Sequence, residues 1–491
     1  MKHRKTAATL ALLAAAFALS LPFLAPAVFA APLAAPAIPA EAVSPWKMTG
    51  EILARIKAPE FPARDFTITD AKYGAVADGK TDATGAIARA IDDCNAAGGG
   101  RVVVPPGVFL TGAIHLKSNV NLHVSEGATL LFKTDPAAYL PAVHSRWEGT
   151  ELMNYSPLIY AFEQENIAVT GKGTLDGGAS SDNWWAWAKN KDRASTTPPP
   201  ARASTKRLLA LADNGTPVEK RIFAPGGFQR PPFFQPFRCK NVLIEGVTIL
   251  RSPFWEVTPE LCENVIVRGL NINSHGPNND GCDPESCRDV LIENCIFDTG
   301  DDCIAIKSGR NDDGRRANVI VENIIVRNCT MKDGHGGVVI GSEVAAGCRN
   351  VFAEDCTMDS PNLDRALRFK SNARRGGVIE NVHMRNVTIG QVAEAIVTVD
   401  FTYEEGPNGP YAPVLRNVSL ENVTSKKSPR IFYITSFPAA KIDDIRLKNC
   451  TFDGLDAPEL MTYAGRITFD NVTALPAKKP KSLSSRPPAG D

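Results

Sequence analysis

Asn241-Val242-Leu243-Ile244, Asn264-Val265-Ile266-Val267 and Asp289-Val290-Leu291-Ile292 write one short pattern three times. An Asn or Asp opens it, aliphatic residues follow, and polar or small residues lead into a second run of strand formers. The pattern returns at Asn323-Ile324-Ile325-Val326, Asn350-Val351-Phe352-Ala353, Asn381-Val382-His383-Met384, Asn417-Val418-Ser419-Leu420 and Asp444-Ile445-Arg446-Leu447. Successive copies begin 23, 25, 34, 27, 31, 36 and 27 residues apart, and looser copies begin at Asn119 and Asn166. Self-similarity at such a period means stacked units that bury a core only together. Short aliphatic strands separated by Asn, Gly and charged residues suit an all-β right-handed parallel β-helix. In that solenoid each coil pairs with the coils above and below, ~4.8 Å away. Asn at the turn tolerates the left-handed conformation and can hydrogen-bond its neighbour in the stack. A β-propeller wants longer, steadier periods of about 40–50 residues, and the Leu skeleton of leucine-rich repeats is missing.

Around this repeat the chain divides readily. Residues 1–30 read as a secretory signal: Lys2, Arg4 and Lys5, an apolar run from Ala7, and a small-residue cleavage site at Val28-Phe29-Ala30. Residues 31–64, rich in Ala and Pro, read as a flexible lead-in, and 476–491 as a flexible tail. Residues 65–475 read as a single parallel β-helix domain. A helix from about 82 to 97, ended by Gly98-Gly99-Gly100, would cap the first coil and cover its edges. Between about 182 and 237 the repeat is interrupted by an insertion carrying Trp184, Trp185, Trp187 and Gln229-Arg230-Pro231-Pro232-Phe233-Phe234. A structureless loop this long in a compact fold is usually either functional or disordered. The Asn-X-Ser/Thr triplets at Asn386, Asn417, Asn422 and Asn471 are better read as turn asparagines of the repeat than as glycosylation sites.

Formal charge is zero, and loss of the signal's cations leaves the remainder slightly negative. That argues against nucleic acid as a partner. No second apolar run suggests a membrane span, so no membrane partner is expected after signal removal. The eleven cysteines are an odd number. Cys282 and Cys287 are one close pair to test for a disulfide, but Cys295, Cys329, Cys356 and Cys450 recur at one repeat phase, which favours small buried core fillers.

The chemistry concentrates between Gly276 and Lys370, in Asn278-Asn279-Asp280-Gly281, Gly300-Asp301-Asp302, Gly334-His335-Gly336 and Arg368-Phe369-Lys370. Asp301 and His335 each lie 12 residues after their repeat marker, so they should stack in adjacent coils. Asp280, Arg368 and Lys370 fall a few residues later in phase, which unequal loops absorb. One face of the solenoid then carries all six over four coils. Crowding three aspartates disfavours ionising all of them, so one should hold its proton to higher pH. Thr299-Gly300 suggests a bend that lets both Asp301 and Asp302 reach the groove. Glu343 and Arg251 are candidates for the rim; His115, His123, His275 and His383 need no functional role.

These four signatures, in order and spacing, resemble the polygalacturonases of glycoside hydrolase family 28, and the resemblance covers roughly residues 65–475. It implies a right-handed parallel β-helix and hydrolysis, with inversion, of α-1,4 galacturonosyl bonds in pectin or polygalacturonate. It implies Asp302 as general acid, Asp280 and Asp301 as the pair that holds and deprotonates water, and His335 as the residue tuning the acid pair. Arg368 and Lys370 would bind a galacturonate carboxylate, with Asn278 and Tyr403 as further substrate contacts. No metal or other cofactor is implied. An inverting pair of carboxyls is expected ~6.5–9.5 Å apart. The common endo-acting form reads Asn-Thr-Asp where this chain has Asn278-Asn279-Asp280. With Gly336-Gly337-Val338-Val339-Ile340-Gly341-Ser342-Glu343, that departure is similar to the exo-acting branch, and an aromatic insertion could wall off one end of the groove.

Other readings stay open. Endo action, or hydrolysis of rhamnogalacturonan or xylogalacturonan, fits the same signatures. A non-catalytic carbohydrate-binding β-helix would bind without turnover, and a calcium-dependent pectate lyase would use the acidic turns for a metal. The partner in each case is a galacturonate-rich polysaccharide or oligosaccharide, the place of action the periplasm or the exterior, and the oligomeric state is unknown from the sequence.

Overall fold

The computed structural model describes residues 44–189 and 199–477; the expected signal and most of the tail lie outside them. From Asp65 onward the chain winds into a parallel β-helix. Strands at the same place in successive coils pair with one another, as in Lys240–Glu245, Glu263–Arg268, Arg288–Glu293 and Val321–Arg327. A third face is built from six parallel strands: Ile304–Ile306, Val338–Ile340, Arg365–Lys370, Ala395–Asp400, Arg430–Thr435 and Leu460–Met461. Among the described residues only the hairpin Val143–Trp147 with Thr150–Asn154 is antiparallel.

Alternation along each strand sends every second side chain inward, so identical positions form columns through the core. Val242, Val265, Val290, Ile324, Val351, Val382, Val418 and Ile445 stand in one such column, each at most 2 % exposed. Fully burying such a side chain contributes about 1.5–3 kcal/mol, and no coil could supply enough of it alone.

The repeat markers make a second column. Every one from Asn119 to Asp444 has a left-handed φ, between 54° and 67°. Each asparagine Nδ2 donates to the Oδ1 one coil back, from Asn166 to Asn119, Asn241 to Asn166, and Asn264 to Asn241. The series resumes from Asn323 to Asp289 and runs through Asn350, Asn381 and Asn417, with all of these bonds 2.7 to 3.0 Å long. Asn386, Asn422 and Asn471 belong to a parallel ladder.

Helix α1, Lys47–Arg55, lies within the stretch expected to be a flexible lead-in. The reason is an apolar column on the outer surface: Leu243, Ile266, Leu291, Ile325 and Phe352 face out from successive strands, and Trp46, Ile52 and Ile56 cover them. Asp289 cannot donate to Asn264, and the end of α1 with the chain just after it fills that break. Lys57 N donates to Asn264 Oδ1 at 2.9 Å, and the Arg55 guanidinium binds both oxygens of Asp289 at 3.0 and 2.8 Å. Helix α2, Thr84–Ala96, covers the first coil with Ile87, Ala90, Ile91 and Cys94 buried.

The insertion has structure on both sides of residues 190–198, which are outside the described set. Trp184–Trp187 form a short 3-10 helix, and Pro200–Asp213 form helix α3. Trp184 is buried, and Trp187 packs edge-on against Phe228. The interruption ends earlier than expected, because Phe234–Phe237 already pairs with Ile159–Phe162 as a strand of the solenoid. All eleven cysteines are buried free thiols, Cys282 and Cys287 included. Cys262 and Cys287 each accept a backbone N–H from the residue one coil back, at 3.4 and 3.3 Å.

Candidate active site

Register assembles the site. Cys282 bridges Ile304, and Ile304 pairs with Val338, so the residues two earlier, Asp280, Asp302 and Gly336, occupy one position on three successive coils. One residue further back, Asp301 meets His335. Thr299 Oγ1 donates to Asp301 O at 2.9 Å and holds the bend that delivers both aspartates. Gly336 is required by space: a Cβ there would meet Val339 at 2.5 Å and come to 3.4 Å from Asp302 Oδ1. Oxygens of Asp280, Asp301 and Asp302 all lie within 4.8 Å of one another. Equal register places Asp280 and Asp302 side by side on adjacent coils.

Asn279 prepares Asp280. Its buried Oδ1 accepts from Gly276 N at 2.7 Å and Ser274 Oγ at 2.8 Å, while Nδ2 donates to Ser252 O and Phe254 O. All four capacities of this amide shape the turn, so Asn279 is a scaffold residue. Asn278 stands beside the site with a left-handed φ of 53°. Its Oδ1 accepts from Arg230 at 2.7 Å, and the same guanidinium donates to Pro253 O and Pro277 O. Arg230, from the insertion, thus ties the wall of the groove to the turn before Asp280.

His335 Nδ1 is 2.9 Å from Asp301 Oδ1, and that bond raises the histidine above its usual pKa. Lys370 Nζ donates to Asp302 Oδ2 at 2.6 Å, and Arg368 donates to Oδ1 at 3.4 Å. Both cations face the Tyr403 ring, at 5.9 Å for the Arg368 guanidinium and 5.6 Å for Lys370 Nζ. The structure therefore brings Asp280, Asp301, Asp302, His335, Arg368, Lys370 and Tyr403 into one cluster, with Asn278 at its edge.

The three carboxyls stand in unlike electrostatic surroundings. Burial pushes Asp280 well above the ordinary carboxylate range, and the neighbouring anions Asp283 and Asp301 add to it. Asp302 is also buried, but Lys370 and Arg368 outweigh burial and hold it below that range. The aspartate that keeps its proton longest here is Asp280, because Asp302 has both cations.

Several buried groups beside the site carry no sequence signal of their own. Lys307 contacts Asp280, Asp283 and Glu343. Arg310 donates to Glu148 at the hairpin tip and to Glu404, and Arg375 also reaches Glu404 and Glu343. Glu343 is 5 % exposed, so it lies behind the groove rather than on its rim. Arg251 binds Asp176 at 2.8 Å instead. In sequence Lys307 reads as an ordinary residue ending a strand; only the fold reveals that it is enclosed.

Comparison with known proteins agrees with this architecture. Residues 224–464 match the profile of glycosyl hydrolases family 28, and residues 68–125 match that of rhamnogalacturonase A/epimerase, pectate lyase-like proteins. An exo-poly-alpha-D-galacturonosidase of Dickeya chrysanthemi is 30% identical over 82% of this chain and 74% of that protein. A probable polygalacturonase of Vitis vinifera is 25% identical over 82% and 77%. The crystal structure of a hyperthermoactive exopolygalacturonase from Thermotoga maritima superposes with a TM-score of 0.84 at 43% identity, covering 88% of this chain and 96% of that one. A parallel β-helix that gathers three aspartates, a histidine and a cation pair, with this similarity along nearly its whole described length, belongs to glycosyl hydrolases family 28.

Proposed function

We propose that the protein is an exo-acting polygalacturonase, hydrolysing α-1,4 galacturonosyl bonds with inversion and releasing units from a chain end. One observation carries the reading: three carboxylates meet within 4.8 Å beside Arg368 and Lys370. Glycoside hydrolysis needs a proton donor at the leaving oxygen and a carboxylate acting opposite it. A uronate carboxylate needs cations, and the fork of Arg368 and the point charge of Lys370 supply them.

In this reading Arg368 and Lys370 take the substrate carboxylate and weaken their hold on Asp302. Asp302 then takes a proton from solvent before the bond breaks and passes it to the glycosidic oxygen. Asp280 and Asp301, on adjacent coils, hold one water between them and remove its proton as oxygen attacks the anomeric carbon. Oxygens this close suit one shared water. A third carboxylate frees Asp302 for the leaving group, which supports inversion. His335 fixes Asp301, and Tyr403 covers the cations.

Exo action rests on the similarity to exo-acting relatives and on the walls of the groove. The hairpin tip at Glu148-Gly149, held by Arg310, and the insertion, held through Arg230, stand at the site. Export is inferred from the first thirty residues; no described helix is long and apolar enough to cross a membrane, and cell fractionation of the full chain tests the location.

The deciding experiment is incubation with polygalacturonate, with product sizing and NMR of the first anomer. Monomer or dimer from the outset, with the inverted anomer, is the expected result. A ladder of oligomers would overturn exo action. Unsaturated, ultraviolet-absorbing products sensitive to chelator would mean a lyase, and binding without turnover a lectin-like β-helix.

A further inference from the structure

Lys307 is 2 % exposed, and it follows directly on the strand Ile304–Ile306. Its ammonium is 3.8 Å from Asp280 Oδ2, 3.7 Å from Asp283 Oδ2 and 3.4 Å from Glu343 Oε2. The Trp255 ring seals it from one side at 4.5 Å. Glu343 has other cations, Arg310 at 3.5 Å and Arg375 at 3.8 Å. Among the described residues, Asp280 and Asp283 have no ion-pair partner except Lys307. Asp283 is wholly buried with neither carboxylate oxygen hydrogen-bonded, and Asp280 Oδ1 is likewise without a partner. Two buried carboxylates thus depend on one ammonium, and a third competes for it.

We propose that Lys307 is a positioning residue for catalysis, opposing the burial and the anions around Asp280 and so bringing it toward the ionised form that activates water, while Glu343 draws on the same ammonium and moderates the effect. The inference rests on the role given to Asp280 above. Direct binding of substrate by Lys307 is excluded by its enclosure, since Asp280 and Trp255 stand over it. The other charges around Asp280 are Asp301 and Asp302 on the next coil, Asp283 on its own turn, and Arg230 from the insertion. Asp283, Asp301 and Asp302 all oppose ionisation of Asp280, and Lys307 is the cation in contact with it. An opposite charge at this range moves a carboxyl by about one to three pH units.

The test compares Lys307→Met, Lys307→Arg and Glu343→Gln with the wild type. Two readouts are taken: the pH profile of kcat/KM on polygalacturonate, and the carboxyl ¹³C NMR titration of Asp280, assigned by its loss in Asp280→Asn. Lys307→Met should move the acid limb and the Asp280 titration upward by about one pH unit or more. Lys307→Arg should return both toward the wild type, and Glu343→Gln should move both downward. A uniform loss of rate with an unmoved limb and titration would mean a scaffold role and overturn the proposal. If Lys307→Met does not fold, an unmoved titration in Glu343→Gln overturns it equally. The titration needs no turnover, so a wild type that fails to hydrolyse polygalacturonate would sink the proposed function without silencing this measurement.

Discussion

Lys370 Nζ lies 2.6 Å from Asp302 Oδ2, and this contact separates the site's aspartates electrostatically. Asp302 is held below the ordinary carboxylate range by Lys370 and Arg368, while Asp280 is driven above it. A carboxylate-bearing substrate that occupies the two cations removes what keeps Asp302 ionised. Profiles of kcat/KM report the free enzyme and those of kcat the complex. The basic limb of kcat should therefore lie at higher pH than that of kcat/KM. Coincident basic limbs would mean that Asp302 is not protonated in this way.

Asp280→Asn and Asp302→Asn should part company in stability while agreeing in activity. Each should lower kcat by about 10²–10⁴-fold, the usual contribution of a positioned acid or base. A raised carboxyl costs the fold stability at pH values above its unfolded pKa, so Asp280→Asn should melt higher than the wild type at pH 7. A depressed carboxyl contributes stability above the unfolded value and loses it as the pH falls through the folded one. Asp302→Asn should therefore melt lower at pH 7, by about 3 kcal/mol or more, because two buried cations lose their partner. Thermal denaturation at pH 7 and below pH 4 checks both, with the differences from wild type shrinking in acid.

His335 bonded to Asp301 has a raised pKa, so its contribution to stability is complete below the unfolded value of ~6.5 and fades as the pH rises through the folded one. His335→Gln should be more destabilised relative to wild type at pH 5 than at pH 9. Parallel melting curves across that range would exclude the charged pair.

The asparagine ladder makes a prediction with no catalytic content. Asn381 donates to Asn350 and accepts from Asn417 with a φ of 57°. Asn381→Leu leaves two neighbours without partners and forces a branched side chain into the left-handed region, costing about 2–4 kcal/mol. Urea denaturation should record that loss, and KM should stay unchanged.

What could be read from the letters follows from what repeats. The spacing of Asn264, Asp289, Asn323 and Asn350 dictates stacked coils, and equal phase places Asp301 beneath His335, because a solenoid converts phase into height. Positions outside that periodicity were hidden. Leu243, Ile266 and Leu291 look like ordinary strand residues until their outward column is seen, so α1 reads as a loose lead-in. Arg230 lies 48 residues from Asn278, in a stretch with no repeat to give it a phase. The order of protonation also escaped, since it depends on Lys370 reaching Asp302 rather than on the count of aspartates.

The break in the ladder at Asp289 bears on how the molecule is completed. Lys57 and Arg55 reach partners 207 and 234 residues later in the chain. Growing from its amino end, the polypeptide makes this clasp long before the groove that receives it exists. Fastening is therefore a closing event, performed over coils already wound. An affinity tag or protease site placed near Trp46 would disturb the cover over the outer column of Leu243, Ile266 and Leu291.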